Sequence, residues 1–189
     1  MDITLINEEE YLELSNELRN AIRDVPDFPK PGIIFKDITP ILSSPDLTNT
    51  VLDLLSVKIH ETIPSLDAIA GVESRGFLFG MMLANRLNIP FIPIRKAGKL
   101  PYHKISKSYD LEYGTATIEM HQDAVEPDME VLIHDDLLAT AGTACAAAEL
   151  IKEQGAKIAG FAFLIELEFL GGLQKLKQHS ENNISLIKY

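Results

Sequence analysis

The chain has 189 residues, of which 46% are hydrophobic and 24% charged, so it has the composition of an ordinary globular protein with a substantial core. A net charge of −11 disfavours a broad nucleic-acid surface, and no apolar stretch approaches the ~20 residues that span a bilayer. The N-terminus lacks a signal-peptide pattern and the single cysteine, Cys145, cannot form an intramolecular disulfide, which fits the cytoplasm. We expect one domain over residues 1–189, with neither nucleic acid nor membrane as a partner.

The first predicted helix begins at Asn7, which can cap it, and Glu10 completes a capping box. Apolar residues then recur at a spacing of four, and the helix ends before Pro26. The segment 27–40 is rich in proline, which predicts turns and extended chain. A second helix is expected after Ser44, a cap residue that precedes a proline.

The rest of the chain alternates short apolar runs with helical stretches. The predicted strands are 67–72, 91–94, 115–120, 131–134 and 158–165, and the predicted helices are 77–87 and 144–154. Strands that alternate with helices of about a dozen residues indicate an α/β fold with a largely parallel sheet. In such sheets ligands bind where the carboxyl ends of the strands open into loops.

The most informative segment follows the apolar strand 131–134. Two adjacent carboxylates, Asp135 and Asp136, precede a loop of small and hydroxyl residues, 139–143, that enters a helix. Free amides and the dipole at a helix start suit an anion. Two carboxylates beside a phosphate would repel it unless they bind the hydroxyls of an attached sugar or meet a metal ion. A sugar phosphate satisfies both halves, whereas the acidic pair alone reads more simply as a solvated strand end.

This arrangement resembles the phosphoribosyl pyrophosphate motif of the type I phosphoribosyltransferases. The resemblance implies that Asp135 and Asp136 hold the ribose hydroxyls. It also implies that the 5′-phosphate is held by the loop that follows: Ala139, Thr140, Ala141, Gly142 and Thr143. Ala141 stands where the family commonly has glycine, and its extra methyl group is tolerated if its φ is negative. His134 is interpreted as a packing or surface residue.

Four other segments resemble the adenine-specific members of this family, and the similarity covers nearly the whole chain from residue 21. It implies the type I fold, a mostly parallel central sheet flanked by helices, with a small base-binding hood over about residues 24–42. In that hood Phe35 offers a flat face for a purine, although one such aromatic residue is more often part of a core. Backbone near Ile34 can read the base edge, Lys36 occupies a position that is often basic, and Leu137 is the expected apolar wall.

Two segments are expected to meet the pyrophosphate. The loop in 71–77 ends a strand and opens a helix, and the resemblance implies that Ser74 and Arg75 bind there, with a cis peptide bond after Glu73. The second segment packs three positive charges into five residues of an acidic protein: Arg95, Lys96 and Lys99. Such a run is usually a solvated face, but a basic loop containing glycine can close over pyrophosphate. The resemblance implies a homodimer in which Arg95 reaches across.

A mobile loop is expected over about residues 95–114. Within it, 108–114 resembles the family segment whose acid and tyrosine fold over the reacting centre, which implies roles for Glu112 and Tyr113. Glu112 is the candidate for accepting the adenine ring proton or favouring the cationic sugar. The histidines are scattered and no zinc spacing is present, so Mg²⁺ is expected to arrive with the pyrophosphate and to need no direct protein ligand.

The implied reaction transfers the 5-phosphoribosyl group from phosphoribosyl pyrophosphate to adenine and yields AMP and pyrophosphate, a step of purine salvage. Two alternatives remain. One is a transferase for another purine, such as guanine, hypoxanthine or xanthine, whose carbonyl needs a donor that Lys36 would supply. The other is a non-catalytic regulator that keeps the fold to sense ligand and bind nucleic acid; it would bind phosphoribosyl pyrophosphate without releasing pyrophosphate.

Overall fold

Residues 6–110 and 114–189 are described by the structure, which is a computed structural model. Backbone contacts divide the chain into two units, Met1–Val57 and Lys58–Tyr189. In the first unit, helix α1 spans Glu8–Ala21, and the backbone N–H of Glu10 donates to Asn7 Oδ1 at 2.9 Å, which confirms the predicted cap. Helix packing then buries Leu18 completely.

The proline-rich part of the first unit contains a short hairpin. Strand β1, Arg23–Pro26, pairs antiparallel with β2, Ile34–Asp37, and a short helix α2 follows at Thr39–Leu42. Helix α3 spans Pro45–Thr62 and so runs from the first unit into the second. The hydroxyl of Ser44 accepts a hydrogen bond from the backbone N–H of Leu47 at 3.3 Å, as the sequence predicts.

The second unit carries strands and helices in alternation. Its elements are β3 (Ala68–Val72), α4 (Gly76–Leu87), β4 (Phe91–Lys96), β5 (Lys104–Asp110), β6 (Thr115–His121), β7 (Glu130–Leu138), α5 (Gly142–Glu153), β8 (Lys157–Glu166), α6 (Gly172–Leu176) and β9 (Asn183–Lys188). A 3-10 turn, Glu168–Leu170, precedes α6. Among the helices that the structure describes, none is long and apolar enough to cross a membrane.

Within the described residues, seven of these strands form one sheet in the order β5-β6-β4-β3-β7-β8-β9. Neighbouring strands are parallel along β4-β3-β7-β8-β9. At one edge, β6 pairs antiparallel with β4, and β5 pairs antiparallel with β6. Helix α5 packs a row of alanines, among them Ala144, Ala147 and Ala148, into the core with Ile133 and Phe161. Their small side chains bring the helix close to the sheet. The predicted α/β fold with a mostly parallel sheet flanked by helices is confirmed.

Three differences from the sequence prediction concern the extent of β7, the segment that contains β5, and the elements near the C-terminus. Strand β7 continues to Leu138, so both carboxylates lie within the strand rather than after it. Strand β5 lies in the segment for which a mobile loop is expected; its alternating burial shows a period of two that the resemblance obscured. Helix α6 and strand β9 were not predicted. The mobility of residues 95–114 and the single-domain organisation stay predictions.

Candidate active site

The phosphate loop, residues 139–143, connects β7 to α5 in a tight turn. Ala141 has φ 65°, in the left-handed region, and directly precedes the first helical residue. A negative φ was the condition on which its methyl group would be tolerated, and the structure contradicts that condition. The chain needs a left-handed residue to pass from strand into helix, so Ala141 accepts a strained conformation where the family commonly has glycine.

A cleft opens at the phosphate loop and brings several predicted residues together. It is lined by Asp135, Leu137 and all five residues of the loop. Two residues of β5, Tyr109 and Asp110, also line it. Free amide groups at the start of α5 therefore share one cleft with the Asp135 carboxylate, which is the combination that a sugar phosphate requires.

Tyr109 was missed in the sequence. Its hydroxyl lies 2.9 Å from Thr143 Oγ1, within hydrogen-bonding distance, so β5 contacts the phosphate loop directly. Farther along the same strand, Lys107 forms ion pairs of 2.8 Å with Glu149 and Glu153 on α5. The signal that could have found this strand is the period of two from Lys104 to Asp110.

The two carboxylates of β7 have different surroundings. Asp135 lines the cleft, and its Oδ1 accepts a hydrogen bond from the backbone N–H of Asp136 at 2.9 Å. Asp136 is 1% exposed, and its Oδ2 lies 3.1 Å from Arg75 Nε in an ion pair. Burial raises the pKa of both carboxyls, and the neighbouring acid raises that of Asp135 further, well above its ordinary value. The site thus favours ligands that neutralise or hydrogen-bond these groups.

Close packing of α4 against β7 brings Arg75 to Asp136. A Cβ atom at Gly76, the first residue of α4, would lie 2.6 Å from the carbonyl oxygen of His134, a distance that real side chains do not adopt. The glycine therefore permits the contact between the helix start and the strand. His134 is fully buried, which confirms a packing role, and burial lowers its pKa to about 4.

The basic segment, residues 95–99, converges on a carboxylate that the sequence analysis did not single out. Glu73 Oε2 accepts hydrogen bonds from Arg95 Nε at 3.2 Å and from the backbone N–H of Lys96 at 3.0 Å. Its Oε1 accepts from Lys99 Nζ at 2.5 Å. Although burial raises it, these bonds lower the pKa of Glu73 to about 2. The sequence signal that could have identified Glu73 is its position directly before Ser74 and Arg75, where an acid beside a predicted anion site is unexpected.

The segment is also anchored from β6. Glu119 Oε2 accepts a hydrogen bond from the backbone N–H of Gly98 at 2.9 Å and lies 2.9 Å from Lys104 Nζ. The hydrogen bond from Lys104 is the main reason that the pKa of Glu119 is lowered. The peptide bond between Glu73 and Ser74 is cis, as the resemblance implies, and Ser74 is exposed.

The predicted base-binding residues of the hood belong to the first unit. Phe35 is half-buried and forms an edge-to-face contact with Phe28, with ring centroids 5.2 Å apart. Ile34 is 56% exposed. Lys36 Nζ lies 2.6 Å from Asp24 Oδ1, its partner across the β1–β2 hairpin. The positive charge of Lys36 is therefore balanced within the hairpin.

Two other predictions concern the mobile-loop residues and the metal ion. Glu112 and Tyr113 lie outside the described residues, so their roles stay predictions. Among residues 6–110 and 114–189, no group of three or more His, Cys, Asp or Glu side chains is arranged to hold a metal ion.

Known proteins are similar to this chain in both sequence and fold. Residues 43–186 match the family of the phosphoribosyl transferase domain. The chain is 51% identical to adenine phosphoribosyltransferase of Cytophaga hutchinsonii over 181 residues, which is 96% of this chain and 98% of the relative.

Solved structures agree. Adenine phosphoribosyltransferase from Thermoanaerobacter pseudethanolicus has a TM-score of 0.87 at 46% identity, covering 93% of this chain and 99% of that one. The enzyme from Saccharomyces cerevisiae, complexed with an imino-altritol bisphosphate and adenine, has a TM-score of 0.88 at 38% identity, covering 93% of this chain and 99% of that one. With this sheet, phosphate loop and carboxylate pair, the chain belongs to the adenine phosphoribosyltransferases of the phosphoribosyltransferase family.

Proposed function

We propose that this chain transfers the 5-phosphoribosyl group from phosphoribosyl pyrophosphate to adenine, giving AMP and pyrophosphate in purine salvage. The observation that carries the proposal is the cleft in which Asp135 and all five residues of the phosphate loop are neighbours. One ribose 5-phosphate would bind with its phosphate at the start of α5 and its diol at the carboxylates. Family membership and the adenine-bound yeast relative support adenine as the acceptor.

The residues divide the work between the two ends of the sugar. Amide groups and hydroxyls of the phosphate loop hold the 5′-phosphate, and Asp135 and Asp136 accept hydrogen bonds from the ribose hydroxyls. Binding at both ends of the sugar fixes the position of the anomeric carbon. Bond breaking runs ahead of bond making in displacements at sugars, so the centre becomes oxocarbenium-like and gains from nearby negative charge. Glu112 is assigned to stabilising that charge or accepting the adenine ring proton.

The leaving pyrophosphate carries the largest charge in the reaction. Ser74 and Arg75 lie at the start of α4, and Arg95, Lys96 and Lys99 lie in the basic segment, where their donors can neutralise phosphate oxygens. Mg²⁺ prefers oxygen ligands, so it would bind with the pyrophosphate and would supply further neutralisation of the leaving group's charge. The chain's own contribution is the set of positive residues that contact the pyrophosphate.

Base recognition is assigned to the hood. Phe35 is assigned to stacking on the purine, backbone near Ile34 to reading its edge, and Leu137 to an apolar wall for the base. Lys36 is also assigned to base recognition, and its ion pair with Asp24 leaves it less available to donate to a carbonyl of another purine. This favours adenine over hypoxanthine and guanine.

The working form is a homodimer in the cytoplasm. Two large apolar side chains of α4 are exposed, Leu78 at 41% and Met81 at 51%, which supports a contact surface with a second copy. Arg95 reaches across to the neighbouring subunit's site in that assembly, and Tyr113 of the mobile loop folds over the reacting centre. Sedimentation of the unaltered chain should give a dimer, and Met81→Lys should shift it toward the monomer.

The assignment is tested first with each purine base in the presence of phosphoribosyl pyrophosphate and Mg²⁺. Adenine should be converted fastest, with stoichiometric release of pyrophosphate. Faster turnover of hypoxanthine would show that adenine is not the preferred substrate. Binding without turnover of any base would identify a non-catalytic regulator.

The sugar site is tested by changing both carboxylates. Asp135→Asn with Asp136→Asn should weaken phosphoribosyl pyrophosphate binding about tenfold or more, because two acceptors for the ribose hydroxyls become amides. Asp128→Asn is the matched control, since Asp128 is an exposed acid that pairs with Lys157 outside the cleft. Equal affinity of the double variant and the control in calorimetry would show that the pair does not hold ribose.

A further inference from the structure

Three of the cations assigned to the leaving group already have acidic partners within the chain. Arg75 pairs with Asp136, while Arg95 and Lys99 both pair with Glu73. Pyrophosphate that binds Arg95 and Lys99 must therefore exchange places with a carboxylate or share these cations with it. The inference below rests on the proposed function, because it concerns the same leaving-group site.

Glu73 lies at the carboxyl end of a central strand, and its side chain is largely buried. It directly follows β3, and its side chain is 7% exposed. Three donors from the basic segment point at its two oxygens: Arg95 Nε, Lys99 Nζ and the backbone N–H of Lys96. The carboxylate remains ionised at every pH at which the enzyme would work, since its pKa is about 2. It places one permanent negative charge among the cations of the basic segment.

We propose that Glu73 is a built-in counter-ion that competes with pyrophosphate for Arg95 and Lys99 and thereby limits how tightly the enzyme holds its leaving group. Charges a few ångströms apart near a protein surface still interact appreciably, because the effective dielectric constant there is well below that of water. A carboxylate beside a bound polyanion weakens its binding. Arg95 and Lys99 return to Glu73 when pyrophosphate departs, so these two cations keep an acidic partner in the empty site.

Competition and simple anchoring predict opposite effects. If Glu73 only holds the basic segment in place, removing its charge should loosen the segment and weaken pyrophosphate binding. If Glu73 competes for the cations, the same change should free Arg95 and Lys99 and tighten binding. The direction of the change therefore separates the two roles.

The test is the affinity of inorganic pyrophosphate with Mg²⁺ for the Glu73→Gln enzyme, measured by calorimetry and as product inhibition against phosphoribosyl pyrophosphate. Glutamine keeps the size of the side chain and an acceptor for the Lys96 amide but loses the charge. The dissociation constant should fall about tenfold relative to the unaltered chain. An unchanged or larger dissociation constant would overturn the proposal.

Glu119→Gln is the matched control. Glu119 is a second carboxylate that anchors the same segment, through Gly98 and Lys104. The same substitution there should leave pyrophosphate binding unchanged or weaken it. Tightening by Glu119→Gln equal to that by Glu73→Gln would reduce the effect to net charge and overturn a specific role for Glu73.

A second variant covers the case in which Glu73→Gln does not fold. Glu73→Asp keeps the charge and withdraws it by one methylene group, so binding should tighten about twofold to threefold; no change or weakening would overturn the proposal. The unaltered chain is assayed first with adenine and phosphoribosyl pyrophosphate. Absence of turnover there would refute the proposed function, whereas the calorimetric comparison reports on Glu73 alone.

Discussion

The phosphate loop and the basic segment are both assigned to phosphate groups of one substrate, yet different interactions hold them in place. The loop is closely packed by backbone: a Cβ atom at Gly172 would clash with the carbonyl oxygen of Ala139. The basic segment begins in β4, which pairs with β6, and its charged side chains Arg95 and Lys99 are held by ion pairs with Glu73.

That difference matches the fate of the two phosphate groups. The 5′-phosphate stays with the sugar through the reaction, so a binding loop set by backbone packing loses little entropy on binding. Pyrophosphate must be bound and then released, and ion pairs can exchange partners without refolding the chain. Rigid and exchangeable binding are thus divided between the carboxyl ends of β7 and β4, which are separated in the sheet by β3.

The stability contributions of His134, on the strand before the phosphate loop, and of Glu73, which holds the basic segment, should be lost over different ranges of acidic pH. The folded-state pKa of His134 is about 4, below 6.5, so the unfolded chain binds more protons between these values and stability falls as pH decreases from 6.5 to 4. The full loss is about 3 kcal/mol. Stability from Glu73 falls only between pH 4.5 and about 2.

The measurement is urea unfolding from pH 7 to pH 4.5 for the unaltered chain and for His134→Leu, which cannot titrate at this position. The raised pKa values of Asp135 and Asp136 act in the opposite direction, because the folded state then binds protons more readily than the unfolded chain. They are present in both proteins and cancel in the difference. Parallel pH profiles of the two proteins would contradict the expected role of the buried imidazole.

A methyl group at Gly172 should disrupt the phosphate loop from outside the cleft. Gly172→Ala forces the Ala139 carbonyl to move, which should cost about 2 kcal/mol of unfolding free energy and raise the KM for phosphoribosyl pyrophosphate. Gly171→Ala is the control: its φ is 65°, but no atom lies within 4 Å of the added Cβ, so it should cost about 1 kcal/mol with KM unchanged. Equal KM values for the two variants would show that packing from α6 does not set the loop.

Tyr109→Phe tests whether a side-chain bond adds to the backbone packing of the loop. Loss of the hydroxyl that meets Thr143 should weaken phosphoribosyl pyrophosphate binding by about 1 kcal/mol, or roughly fivefold in KM, with a smaller change in kcat. A double-mutant cycle with Thr143→Val measures the coupling. Additive effects of the two changes would mean that the contact does not contribute.

The smallest expected effect is a gain of stability. Ala141→Gly relieves the left-handed strain at the loop and should stabilise the fold by about 0.5 kcal/mol, after the entropy of the added glycine is subtracted. Ala147→Gly, inside α5, should instead destabilise it by about 1 kcal/mol or more. Thermal unfolding of both variants provides the comparison, and a destabilised Ala141→Gly protein would contradict the strain.

The parts of the site that the sequence predicts are local. Asn7 and Ser44 cap helices through neighbours three residues away, and Asp135 precedes the phosphate loop by four positions. Contacts between distant segments were not foreseen. Glu73 meets Arg95 from 22 residues away, and Tyr109 meets Thr143 from 34.

By itself, the sequence determined the alternation of strands and helices, the anion-binding start of α5 and the family, because hydrophobic period, capping and contiguous motifs act over a few residues. Only the tertiary structure decided that β5 lies against the phosphate loop and that Glu73 gathers the basic segment. Such contacts depend on which strands become neighbours in the sheet. That order results from packing of the whole second unit, since spacing along the chain does not encode it.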